Sequence, residues 1–192
     1  MKELRLTASG MVTPLGMNTG ATAAAVRAGL ARCFAADTGE VVTSTVRGLT
    51  DDLRGSARVE ALLAGALTAL GEKLEQEGRD RSLDALLGAD DSALVIALPT
   101  RYEKTITTSS CRALVDSMAG FATLPQHTSL AFGSRTIAWK GLTEIWSKLS
   151  EGKLRRVFVW TADCLADPDA VHSKDSQIKR LGEADGFTAG EA

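Results

Sequence analysis

The chain has 192 residues, of which 44% are hydrophobic, so it can form one domain with a buried core. Its 22 basic and 24 acidic residues leave a net charge of −2, which excludes the basic surplus that nonspecific nucleic-acid binding requires. The apolar runs are too short to cross a bilayer and the N-terminus has no signal-peptide core, so we expect a cytoplasmic protein.

The first part of the chain predicts a strand, a turn and a helix. Residues 3–8 alternate as a strand does, and the glycines and proline of GMVTPLG, at 10–16, indicate a rigid turn. Asn18 or Thr19 can cap the helix that follows, whose alanine-rich body covers 21–30.

The middle of the chain continues the alternation. EVVTSTVR, at 40–47, is rich in β-branched residues and predicts a strand, and leucines at helical spacing predict a long helix over 56–77. A loop with a helical turn at 83–87 leads to ALVIAL, at 93–98. This short and continuous apolar run is typical of a strand that is buried on both faces.

The last part of the chain predicts a helix over 109–121, a strand over 128–132, a helix over 137–149 and a strand over 155–162. The remainder, 163–192, is polar and loop-like. Because strands alternate with helices throughout, we expect an α/β fold whose sheet is mostly parallel and has helices on both faces.

The cysteines and histidines of the sequence do not have the spacing of a metal or redox site. Cys33, Cys111 and Cys164 are widely spaced and form no CxxC pair, so buried thiols in a reducing compartment are expected. His127 and His172 show no ligand spacing and are interpreted as loop residues. We therefore expect no metal, no cofactor and no histidine-based catalysis.

Three stretches resemble the β-ketoacyl-acyl-carrier-protein synthases of the thiolase-like superfamily. TASGMVTPLG, at 7–16, is similar to the family's opening strand and glycine-rich turn, and AVRAGLARC, at 25–33, to its next helix. The block 128–163 follows the order of the family's nucleophile strand, nucleophile helix and next strand. ADGFTAGEA, at 184–192, resembles the DGFxxGEG motif that leads into the second half of such a synthase.

The resemblance implies a thiolase-like half: a single N-terminal domain over 1–192, in which the loop-rich residues 163–192 lead towards a C-terminal half that this sequence does not contain. In the family that second half supplies two histidines, which help to decarboxylate the malonyl unit. The family's nucleophile strand, matched here by 128–132, pairs with its copy across a two-fold axis. A homodimer, or a dimer with a related synthase subunit, is therefore expected.

The position of the family's nucleophile is degenerate in this chain. The catalytic cysteine begins the helix that is matched here by 136–150, where the helix dipole favours a thiolate. Counting back without gaps from Gly152 places Arg135 at the cysteine, and a shift of one residue places Ser134 there. Arginine cannot accept an acyl group, and serine is a weak nucleophile without a base beside it. We expect no catalytic residue.

Two interpretations of Arg135 stay open. It is a surface or interface cation paired with a carboxylate, or it captures an anion at the helix start, such as the phosphopantetheine arm of an acyl carrier protein. A cation beside the positive end of a helix is unfavourable without an acidic partner, so an acid or anion is expected nearby. Tryptophans 139, 146 and 160 are predicted to lie in the core or at an interface.

The resemblance therefore implies a β-ketoacyl synthase-like domain of fatty acid or polyketide metabolism that is inactive as this chain. The alternative is a non-catalytic partner or scaffold subunit of the chain-length-factor type, which would bind an acyl carrier or an active synthase. A third hypothesis is that the sequence is a piece cut at a domain half, because its last motif, at 184–192, has no natural stop.

Overall fold

The computed structural model describes residues 5–32, 34–35, 42–46, 48–49, 52–78, 82–117, 124–134, 136–164 and 189–190. In chain order, the helices and strands are α1 Thr19–Arg27, β1 Phe34–Ala35, β2 Val42–Ser44, α2 Gly55–Gln76, α3 Leu83–Leu87, β3 Ser92–Pro99, the 3₁₀ helix η1 Thr100–Tyr102, α4 Thr108–Ser117, β4 His127–Gly133, α5 Ile137–Ser150, β5 Arg156–Thr161 and β6 Ala189–Gly190.

The chain divides into two compact units. The first contains Met1–Ser9 and Leu70–Thr161, and the second contains Gly10–Ala69 and Ala162–Ala192. The boundary falls inside α2, whose 22 residues begin in the second unit and end in the first. Both units contain strands and helices, and in the first unit β3, α4, β4, α5 and β5 alternate, which agrees with the predicted α/β fold.

The first unit is built on a parallel sheet in the order β4–β3–β5. Its central strand, β3, is buried from Ser92 to Leu98, as expected for an apolar run without alternation. The register pairs Ala97 with Ala131 on one side and with Thr161 on the other. The prediction that this strand is buried on both faces is confirmed.

Helix α5 covers one face of this sheet. The alternate residues Ala93, Val95 and Ala97 of β3 form a core cluster with Ile145 of α5 and with Leu154, against which further side chains of α5 and β5 pack. Gly141 makes this approach close, because a Cβ atom there would lie 2.5 Å from Cγ1 of Val95. The packing of α5 therefore depends on a residue without a side chain.

The second unit contains the turn predicted at 10–16. Thr13 and Gly16 exchange two backbone hydrogen bonds of 2.9 and 3.1 Å, and the hydroxyl of Thr13 lies 3.0 Å from that of Thr22 in α1. A Cβ atom at Gly16 would lie 2.7 Å from the backbone nitrogen of Thr22, so glycine is required where the turn meets the helix. Asn18 caps α1 by accepting from the backbone N–H of Ala21 at 2.8 Å.

The second unit also has a small mixed sheet in the order β1–β2–β6. Strand β1 is antiparallel to β2, and β2 is parallel to β6. With the parallel sheet of the first unit, this gives the mixed and mostly parallel strand arrangement that the sequence predicts.

Most predicted elements agree with the structure to within a few residues, but the prediction of a first strand over 3–8 was wrong. Of residues 3–8, the described ones, 5–8, form no strand, and Leu6 is 88% exposed. A short alternating pattern indicates a strand only weakly, because strand geometry depends on residues elsewhere in the chain.

Two other predictions lie partly or wholly outside the described residues. The helix predicted over 109–121 is observed as α4, Thr108–Ser117, and the described residues resume at 124. Nearly all of 165–192 is outside the described residues. Among the helices that the structure describes, none combines the length and the apolar character that a membrane crossing needs.

Candidate functional site

The turn between β4 and α5 is where the sequence predicts the degenerate nucleophile position. Strand β4 ends at Gly133, and α5 begins at Ile137 after a short turn that includes the hydroxyl residues Ser134 and Thr136. A Cβ atom at Gly133 would lie 3.1 Å from Cδ1 of Ile137, so the chain reverses tightly here. The strand, turn and helix have the predicted order, and the turn lies at the carboxyl edge of the sheet, where α/β folds usually bind ligands.

The first turn of α5 is organised by backbone hydrogen bonds. The carbonyl of Ser134 accepts from Ile137 N–H at 2.9 Å, and the carbonyl of Thr136 accepts from Trp139 N–H at 3.0 Å and from Lys140 N–H at 3.3 Å. Thr136 is the N-cap residue but makes no side-chain cap hydrogen bond. The partial positive charge at this helix start is therefore not met by a capping side chain.

Ser134 lies exposed in this turn. Its hydroxyl is 3.1 Å from the hydroxyl of Thr136, and either oxygen can be the donor. A threonine hydroxyl cannot take a proton from serine at neutral pH, so this contact does not activate Ser134 as a nucleophile. The arrangement can donate hydrogen bonds to a bound group, but it does not form a nucleophile–base pair.

Arg135, the other residue predicted at this position, lies outside the described residues. The expectation that an acid or anion faces it therefore stays a prediction.

A second group of side chains at the same edge was missed by the sequence analysis. The 3₁₀ helix η1 follows β3 directly and contacts β4, whose Gly133 is paired with Pro99. In η1 the guanidinium of Arg101 lies 4.7 Å from the ring centroid of Tyr102, a cation–π distance, and Tyr102 is buried. No periodicity or motif distinguishes these residues. The sequence feature that could have indicated these two residues is their position just after the buried parallel strand β3.

His127 lies far from the turn. His127 is the first residue of β4, and the turn follows Gly133, the last residue of this strand, so His127 and the turn lie at opposite edges of the sheet. Six steps of about 3.3 Å along the strand separate His127 from Gly133 by about 20 Å. The described structure therefore does not bring His127 and Ser134 together. His172 lies outside the described residues.

The cysteines do not supply a nucleophile at the turn. Cys111 of α4 and Cys164 are both buried and are not disulfide-bonded, as expected for structural thiols, and neither belongs to the β4–α5 turn. Cys33 lies outside the described residues. Within the described ranges, no three His, Cys, Asp or Glu side chains are grouped as a metal ion requires.

Comparison with known proteins identifies the fold but not the family. No protein-family model matches the chain, and no curated protein matches it. A solved structure, described as the ishigamide ketosynthase/chain length factor, matches with a TM-score of 0.60 and 21% sequence identity. The match covers 97% of this chain and 59% of that one. The chain thus has an α/β fold similar to that of a ketosynthase/chain length factor and spans somewhat more than half the length of that protein.

Proposed function

We propose that this chain is a ketosynthase-like or chain-length-factor-like subunit that carries no acyl group itself. The proposal rests on the β4–α5 turn, in which the described side chains are two hydroxyls, of Ser134 and Thr136, bonded to each other. An acyl acceptor at this place needs a thiolate, or a hydroxyl with a base beside it. The similarity of the fold to a ketosynthase/chain length factor supports a role in polyketide-type or fatty acid metabolism.

A turn that lacks a nucleophile can still bind an anionic group of a ligand. The N-cap residue Thr136 makes no side-chain cap, so the positive end of the α5 helix dipole can attract a phosphate or carboxylate, and Arg135 would add a positive charge. The retained role that fits this chemistry is binding of the phosphopantetheine arm of an acyl carrier protein.

The edge of the parallel sheet supports a subunit role. Strand β4 is hydrogen-bonded to β3 along its whole length, and among the described strands none pairs with its other side. Such an edge presents a row of backbone donors and acceptors and favours association with another strand. We propose that β4 pairs with a strand of a second subunit, either a copy of this chain or a related synthase chain.

This pairing predicts protection of the β4 amides. At micromolar concentration, light scattering is expected to give an assembly larger than the 20.2 kDa monomer. Hydrogen exchange of the peptide covering His127–Gly133 is expected to be slow for nearly every amide, including those that point away from β3.

The matched control for this prediction is dilution to nanomolar concentration. The outward amides should then exchange within seconds while those bonded to β3 stay protected. A monomer at micromolar concentration, or exchange in β4 that does not change with dilution, would contradict the proposed pairing.

A further inference from the structure

We draw no further inference here: the strongest candidate, the start of α5 without a side-chain cap together with Arg101 of η1 at the carboxyl edge of the parallel sheet, belongs to the site already described.

Discussion

Replacing Gly141 by alanine is expected to destabilise the protein by about 2 kcal/mol, although the same substitution in an open helix stabilises by about 1 kcal/mol. The added Cβ atom would lie 2.5 Å from Cγ1 of Val95 in the centre of the sheet, closer than two carbon atoms can approach. Since the strand is buried, α5 has to move away from the core cluster. Urea denaturation followed by circular dichroism measures the loss.

A second substitution identifies the cause. Val95→Ala removes the methyl group that the new atom would meet, and the next atom, Cβ of Val95, lies at an ordinary 3.6 Å. In that background Gly141→Ala should become neutral or stabilising, a coupling of about 2 kcal/mol. Gly20→Ala in α1, whose nearest neighbour is Asn18 Oδ1 at 3.4 Å, is the control and should not destabilise. Equal losses at Gly141 in both backgrounds would contradict this explanation.

Replacing Asp91 by asparagine is expected to lower the free energy of unfolding by about 1–2 kcal/mol, between the values for exposed and for buried ion pairs. Asp91 Oδ1 accepts from Arg156 Nη1 at 2.6 Å, and Arg156 also donates to the buried Ser92 at 3.3 Å. Both charged side chains are about one-third exposed. Asparagine would leave the Arg156 guanidinium with a neutral partner where water reaches it poorly.

The neighbouring residue provides the control. Asp90 is exposed, so Asp90→Asn changes the net charge equally and should cost less than about 0.5 kcal/mol. The Asp91 carbonyl, which accepts from the N–H groups of Arg155 and Arg156, is retained in asparagine, so the difference between the two variants reports the side chain. Equal stability of the two variants would show that the ion pair contributes nothing.

The fold could be predicted where local pattern and burial agree. Strand β3 has a continuous apolar run because both of its faces are buried. Helix α5 has apolar residues at helical spacing because only one of its faces is buried against the sheet. Gly78 and Gly152 have positive φ just after their helices end, which is the usual position of glycine at a helix C-terminus. Such signals lie within a few residues of the feature they predict.

What depends on distant residues could not be predicted. The ion pair between Asp91 and Arg156 joins residues 65 positions apart, and the place of Arg101 beside the β4–α5 turn depends on strand order. The sequence also could not indicate that Trp139 is exposed, because a tryptophan at helical spacing usually belongs to a core. The strand predicted over 3–8 is not observed in its described part, 5–8, because a short alternating pattern does not by itself determine strand geometry.

For the candidate site, the sequence could predict which residue types occupy the turn and which chemistry those residue types allow. Ser134 lies in the tight turn before α5, as the predicted order of strand and helix implies. The sequence could not indicate that its hydroxyl is bonded to Thr136. That contact matters because it gives Ser134 a partner that is no base.

The most direct measurement is the intact mass of the protein after incubation with an acyl-acyl-carrier-protein, beside an active ketosynthase as a positive control. We expect the mass of this chain to stay unchanged while the control gains an acyl group. Ser134→Ala should behave in the same way as wild type. An adduct of one acyl group that alkaline hydroxylamine removes as an oxygen ester, and that is absent from Ser134→Ala, would contradict the proposal that this turn carries no acyl acceptor.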